Sequence, residues 1–384
     1  MKKEIKYIIK QALRYLTGFT KKFILIKNNR ILFYSYGGRD YSDSPAAICN
    51  YILENDKKRF EIIWAFNDIE KIENFDKTIK IIKFRSLTFI YYYLSSKFIV
   101  SNIGPMYAIK KSDKQIFINT WHGGGAYKAD GIKRTFKDEI SFKEKSSVMV
   151  DVDLFLSSSK IFSKKFILES YLYDGKILNT GLPRNDILFK TERFNEIKQK
   201  VRRCFEIDDN TKIILYAPTW RDYDDEKEEI DFEEFINVLE DKYNCKWCVL
   251  YRGHQMSVAP KYYFLTKDAT KYPDVQELLI ATDMLISDYS SIIWDYSILE
   301  RPYILFVPDY DKYKKEFGFY TDIACWGGVI CKNNAELINQ IKDIDMKKIK
   351  SDVKKSKSFF GTYETGNACK KVYDFLIKNM INRE

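Results

Sequence analysis

Short runs of β-branched and aromatic residues alternate with stretches of helical periodicity along the whole chain. The apolar runs predict strands at 31–36, 61–66, 98–102, 116–119 and 154–157 in the first half. Further strands are predicted at 212–217, 247–251, 284–287, 303–307 and 329–331 in the second. Apolar positions three and four apart predict helices between them, as at 162–171, 232–243 and 290–299. Strands joined by helical crossovers pair in parallel, with helices covering both faces of the sheet. The alternation therefore predicts an α/β fold built from parallel sheets. Ten predicted strands in 384 residues fit two doubly wound, Rossmann-like domains better than one.

Turn formers cluster at Gly181-Leu182-Pro183-Arg184-Asn185-Asp186, which makes this the expected join between domains. The expected organisation is an N-terminal helix over 1–22, a first domain over 23–190 and a second over 191–361. A final helical stretch over 362–384 is placed to pack back on the first domain. In the N-terminal helix Ile5, Ile8, Ile9, Ala12, Leu13, Leu16 and Phe19 recur at helical spacing, while Lys3, Lys6, Lys10 and Arg14 occupy another face. Such a basic amphipathic helix either lies on an anionic membrane or packs against its own domain, and periodicity leaves both readings open.

Composition narrows the classes. Apolar residues make up 45% and charged residues 31%, which excludes a disordered chain. No apolar run approaches the roughly 18 residues of a membrane span. The first 22 residues also lack the uncharged core and small-residue cleavage site of a signal peptide, so a cytoplasmic chain is expected. Seven scattered cysteines suit a reducing compartment. Cys245 and Cys248 form a CxxC, but without a second pair and inside a predicted strand, so they read as structural. Lysine and arginine number 64 against 54 acids, a net charge of +10. That excess is spread widely, and no zinc-finger, RNP or helix-turn-helix pattern accompanies it, so nucleic acid is not the expected partner.

Histidine occurs only twice, and both copies follow predicted strands. The first lies in Asn119-Thr120-Trp121-His122-Gly123-Gly124-Gly125-Ala126-Tyr127-Lys128. Ligands of open α/β sheets bind at the carboxyl ends of strands, and glycines let backbone N–H groups approach an anion closely. Lys128 follows near enough to bring an ammonium group to the same place. The second lies in Tyr251-Arg252-Gly253-His254, where arginine and histidine at a strand end make a candidate phosphate clamp. Two more strands end in polar segments. Ala217-Pro218-Thr219-Trp220-Arg221 supplies a hydroxyl and a guanidinium. Ser287-Asp288-Tyr289-Ser290-Ser291 leads into a helix whose first N–H groups suit an anion. No metal-ligand set, Walker A sequence or G-x-S-x-G elbow is present. Neither a metal nor a cofactor is therefore expected.

These segments, with Arg301-Pro302 and Phe317-Gly318-Phe319-Tyr320, resemble the CDP-glycerol glycerophosphotransferase family of teichoic acid synthesis, in family order over roughly residues 31–373. The resemblance implies a GT-B fold, two Rossmann-like domains with the active site in the cleft between them. It implies transfer of a polyol phosphate, glycerol phosphate first among them, from CDP-glycerol or CDP-ribitol as substrate. The acceptor it implies is a hydroxyl of an undecaprenyl-diphosphate-linked saccharide or polymer, of teichoic-acid or capsule type, and CMP is released. The enzyme would be peripheral on the inner face of the membrane. In this chain the resemblance makes His122 the general base, with His254 and Arg252 on the pyrophosphate. Ser290 and Ser291 would bind donor phosphate, assisted by Thr219 and Arg221. Asp288 would orient a histidine or bind a donor hydroxyl, and Gly123, Gly124, Gly125 and Lys128 would form the acceptor-side loop.

Two departures from the family pattern leave the acceptor and the polyol open. Gly124-Gly125-Ala126-Tyr127-Lys128 stands where a Thr-Pro-Leu-Lys-like run is frequent, and Gln255 stands where proline is frequent. The length resembles the single-module members, including those that add the first unit. The competing readings are a nucleotide-sugar enzyme of the same fold, either glycosyltransferase or epimerase, and a non-catalytic membrane- or nucleic-acid-binding protein.

Overall fold

Among the described residues the strands pair with one another in parallel throughout, and they form two sheets. The structure, a computed structural model, describes residues 2–70, 75–133, 149–219, 228–253, 266–343 and 345–380. The first sheet holds β1 (Lys27–Tyr34), β2 (Glu61–Phe66), β3 (Lys80–Lys83), β4 (Ser96–Ser101), β5 (Ile116–Asn119), β6 (Leu154–Ser157) and β7 (Lys176–Asn179). Their order is β3-β2-β1-β4-β5-β6-β7. The second holds β8 (Lys212–Ala217), β9 (Trp247–Tyr251), β10 (Thr266–Asp268), β11 (Met284–Ser287), β12 (Tyr303–Phe306) and β13 (Val329–Cys331), in the order β10-β9-β8-β11-β12-β13.

Both orders are Rossmann-like: the chain runs outward from a central strand, then returns to that strand's other side. The reversal opens a switch point between β1 and β4 and another between β8 and β11. Register keeps the strand ends level at both, with Tyr34 opposite Ser101 and Ala217 opposite Ser287. Tyr36 and Asn102 follow the first pair of strands, and Thr219 and Asp288 follow the second. The fold class is α/β with two Rossmann-like units, the GT-B class.

The first compact unit comprises Met1–His122, Thr135–Asp186 and Tyr363–Glu384, and the second comprises Gly123–Arg134 and Ile187–Thr362. Because parallel strands are covered on both faces, residues 31–34 of β1 and all of β2 after Glu61 are apolar and buried. Ile31, Phe33, Trp64 and Phe66 pack against Ile48, Cys49 and Ile52 of the helix Asp43–Asp56. Val372 and Leu376, from the helix Ala368–Met380, join this core. Each such fully buried side chain is worth about 2 kcal/mol of hydrophobic stabilisation. In the second unit Ile214, Val249, Met284, Ile286 and Ile304 pack against the helices Phe232–Tyr243 and Asn334–Asp343.

The turn-rich segment at 181–186 fastens the chain's last helix to the first unit. Asp186 accepts hydrogen bonds from the backbone N–H groups of Ala368 and Cys369, at 2.9 and 2.7 Å, satisfying two donors that a helix start leaves unpaired. The buried Glu364 carboxylate accepts from the N–H of Leu182 at 3.1 Å. Gly181 makes the approach possible: its φ is +82°, and a Cβ there would lie 2.5 Å from Glu364 Oε2.

The N-terminal helix Lys2–Thr20 packs by a narrow polar face. Arg14 Nη2 meets Asp151 at 2.7 Å, and the Thr17 hydroxyl accepts from the backbone of Lys110. Burial alone would raise the Asp151 carboxyl, but hydrogen bonds and charge from Lys110 and Arg14 hold it below the ordinary carboxylate value. Ile5, Ile8, Ile9, Leu16 and Phe19 are each at least half exposed. The docking contacts are therefore polar bonds and the stacking of Tyr7 on Tyr107, and the apolar stripe is turned away from the core.

Candidate functional site

β5 ends at Asn119, whose Oδ1 accepts the N–H of Trp121 at 2.9 Å and turns the chain sharply. Trp121 takes a left-handed φ of +53°, a strained conformation for a large aromatic residue. Its buried indole, packed among Phe155, Phe166 and Tyr171, secures the turn. His122 follows, its ring stacked on Trp121 at 4.5 Å and 5.9 Å from the ring of Tyr36.

The His122 Nδ1 lies 2.8 Å from the backbone carbonyl of Asn102. A carbonyl only accepts, so Nδ1 carries the proton, and in the neutral ring the lone pair is on Nε2. That is the tautomer a general base requires. Asn102, at the end of β4, is itself fully buried. Its Oδ1 accepts the N–H of Tyr36 at 2.8 Å, and its Nδ2 donates to Asp43 at 3.1 Å. Asp43 is also buried and pairs with Arg184 Nη1 at 3.0 Å. Burial alone would raise the Asp43 carboxyl. The Arg184 charge and hydrogen bonds from Tyr36, Ser44 and Asn102 outweigh it and hold the carboxyl below its ordinary value.

In the second unit the polar strand ends are joined to one another. Both Asp288 carboxylate oxygens accept the N–H of Thr219, at 2.9 and 3.0 Å, and Oδ1 also accepts its hydroxyl at 2.6 Å. Asp288 thus ties the segment after β8 to the segment after β11. The Ser287 hydroxyl repeats the link by donating to the Ala217 carbonyl at 2.7 Å. The Ser290 hydroxyl accepts the N–H of Ile292 at 3.3 Å, at the start of the short helix Ile292–Ser297. The Ser291 side chain makes no capping bond.

The glycine run packs on this same turn. A Cβ on Gly123 would lie 3.1 Å from the Ser291 Cβ and hydroxyl, and one on Gly124 would lie 2.2 Å from the Trp294 ring. Glycine is what lets the backbone reach Ser291 and Trp294. Gly125 has a φ of +80° and turns the chain toward Lys128. Lys128 bridges to Phe319 in an antiparallel pair, flanked by bonds from Ala129 N–H to Gly318 and from Tyr320 N–H to Tyr127. Its ammonium lies 5.3 Å from the Phe317 ring centroid. The segment 127–130 is thereby a short ladder element within its unit.

Arg252 follows β9. Its Nη1 donates to the carbonyls of Ala269 and Tyr272 at 2.9 and 2.8 Å, so it braces the loop after β10. His254 and Arg221 lie outside the described residues. The structure therefore joins Thr219 to Asp288, and Gly123 to Ser291, while Arg252 is engaged at the loop after β10.

Sequence reasoning missed Tyr36, Asp43, Asn102 and the Arg184 side chain. Asn102 ends a predicted strand, as His122 and Thr219 nearly do, and reading every polar strand end alike would have found it. Arg184 belongs to the segment read only as a domain join.

The family described as CDP-glycerol:poly(glycerophosphate) glycerophosphotransferase matches residues 16–378. A teichoic acid poly(glycerol phosphate) polymerase from Bacillus spizizenii is 29% identical over 380 residues, covering 92% of this chain and 93% of the relative. A second poly(glycerol phosphate) polymerase, from Staphylococcus epidermidis, is 30% identical over 353 residues. There the match covers 86% of this chain but only 48% of the relative, so the chain spans about half of that longer protein. Among solved structures, the wall teichoic acid polymerase TagF superposes with a TM-score of 0.83 at 28% identity, covering 98% of this chain and 95% of the other.

Proposed function

The chain belongs to the CDP-glycerol:poly(glycerophosphate) glycerophosphotransferase family, and from that premise we propose the reaction it catalyses. It transfers glycerol phosphate from CDP-glycerol to a hydroxyl of a lipid-linked teichoic-acid or capsule-type acceptor, and it releases CMP. The acceptor oxygen attacks the β-phosphorus, its proton passes to His122 Nε2, and the pyrophosphate P–O bond breaks with its electron pair leaving on CMP. The observation that carries this reading is the Nδ1 contact to the Asn102 carbonyl, which leaves the lone pair on Nε2.

The donor phosphates are assigned to the turn at Ser290 and Ser291, where hydroxyls and N–H groups stabilise charge as it moves onto CMP. Thr219 and Asp288 hold that turn's neighbour in shape, a more structural role than binding a donor hydroxyl. Arg252 keeps its place on the pyrophosphate in the proposal, while its Nη1 braces the loop after β10. CDP-glycerol enters as substrate, with no separate cofactor. Calorimetric titration of the purified protein tests the donor assignment. CDP-glycerol is expected to bind at least about tenfold tighter than a UDP-sugar, a difference of roughly 1.4 kcal/mol. A preference for the UDP-sugar would move the chain to the nucleotide-sugar enzymes.

The same proposal places the enzyme on the inner membrane face, meeting an undecaprenyl-diphosphate-linked acceptor. What supports this is the exposed row Ile5, Ile8, Ile9, Leu16 and Phe19, extended by Phe23 at 77% and Leu25 at 84% exposure, beside the basic residues of the same helix. No helix among the described residues is long and apolar enough to cross a membrane. The variant Ile8→Glu/Leu16→Glu keeps the Arg14–Asp151 contact. It is expected to lose most of its co-flotation with phosphatidylglycerol vesicles. Undiminished flotation of the folded variant would make the helix purely structural.

A further inference from the structure

We infer that Asp43, paired with Arg184, is a positioning residue for the His122 imidazole, acting through Asn102 and Tyr36. The inference rests on His122 being the base and adds the device that keeps it in the productive tautomer.

Asp43 sits at the start of the helix Asp43–Asp56 with a φ of +61°, in the left-handed region. Its side chain is only 3% exposed and that of Arg184 only 6%. A buried ion pair of this kind is weak evidence of stabilisation, because desolvating two charges offsets most of their attraction. Its geometry suggests a different use. The carboxylate gathers four donors: Arg184 Nη1 at 3.0 Å, the Tyr36 hydroxyl at 2.5 Å, the Ser44 N–H at 2.5 Å and Asn102 Nδ2 at 3.1 Å. Two of these, Tyr36 and Asn102, are the residues that also meet His122.

An ionised carboxylate only accepts hydrogen bonds, so it obliges Asn102 to present its NH₂ group. The Asn102 Oδ1 is then left for the Tyr36 N–H, at 2.8 Å. With both ends of its amide held, Asn102 has one orientation. Its main-chain carbonyl stays where it accepts the Nδ1–H of His122. The Tyr36 ring, fixed through its hydroxyl, lies 5.9 Å from the imidazole. All of these groups lie at the switch point between β1 and β4 and the end of β5. Arg184 reaches them from the 181–186 segment, whose Asp186 holds the last helix.

The chain's two histidines make the test direct, since selective ¹⁵N-histidine labelling yields two imidazoles and the His122→Ala variant identifies the first. The wild-type protein is expected to show His122 as a single Nδ1–H tautomer above its titration range. The double variant Asp43→Asn/Arg184→Gln removes both charges, keeping the size of the carboxylate and replacing the guanidinium by a shorter neutral amide. It is expected to show mixed tautomers and a kcat about 10- to 100-fold lower, with the KM for CDP-glycerol within about threefold. A folded double variant with kcat within about twofold of wild type and an unchanged tautomer overturns the inference. Should that variant fail to fold, Tyr36→Phe decides, because it deletes a single oxygen from the network. Mixed tautomers and a kcat at least about threefold lower support the positioning role, and an unchanged spectrum and kcat overturn it. Loss of the base assignment would be seen separately, as activity retained by His122→Ala, because the tautomer spectrum does not depend on turnover.

Discussion

His122→Ala is expected to lower kcat at least about 100-fold, because a positioned general base supplies roughly 10²–10⁴ of an enzyme's rate. The attacking alcohol is otherwise a poor nucleophile near neutral pH. The imidazole is held for the task on two sides, by the Asn102 carbonyl at Nδ1 and by the Trp121 ring. The proposed phosphate-binding groups are other residues, Ser290 and Ser291, so affinity for CDP should change by less than about threefold. Steady-state CMP release and nucleotide titration separate the two quantities. Retention of more than about a tenth of the wild-type rate would remove His122 from the role of base.

The second large effect is expected at Gly124. A Cβ there would lie 2.2 Å from the Trp294 ring, which is buried and packed against Phe360. That indole has no open space to swing into, so the clash must be relieved by moving the backbone of the loop. Overpacking of this kind costs about 1–3 kcal/mol, and Gly124→Ala should lower the melting temperature by about 5 °C or more. Gly123→Ala provides the control. Its Cβ would meet only the Ser291 side chain, at 3.1 Å, and a serine yields by a small shift. Its melting temperature should stay within about 2 °C of wild type. Equal melting temperatures for the two variants, measured by scanning calorimetry, would contradict the packing described for this loop.

The central strands were legible because burial on both faces writes them as unbroken apolar runs. β2, β5, β6, β8, β9 and β11 lie at the residues that the pattern predicted, and so does β13, a sheet edge that keeps the apolar run Val329-Ile330-Cys331. β3, β7 and β10 were not predicted, and all three are sheet edges. An edge strand faces solvent along one side and carries polar residues there. Lys80 and Lys83 flank β3, Lys176 opens β7, and β10 is Thr266-Lys267-Asp268. Such segments have no apolar run to detect.

The candidate site was legible in part for the same reason. His122, Thr219 and Asp288 follow strongly apolar strands, so their polarity stood out. Asp43 and Arg184 follow no strand, and what makes them informative is a pairing across 141 residues that spacing cannot show. The N-terminal helix illustrates a different limit. Its apolar stripe was plain in the sequence, but only the structure shows that the docking contacts come from Arg14 and Thr17 and leave the stripe exposed. In sequence Lys128 reads as an ammonium near the histidine, and its place in the ladder with Phe319 depends on residues nearly 200 positions away.

The most direct measurement is CMP release by the purified protein given CDP-glycerol and a lipid-linked glycerol phosphate acceptor, with product mass read in parallel. The expected result is CMP formed in equal amount to the glycerol phosphate added to the acceptor, and both formed at least about 100-fold more slowly by His122→Ala. Absence of CMP from every CDP-polyol, together with turnover of a nucleotide sugar, would contradict it.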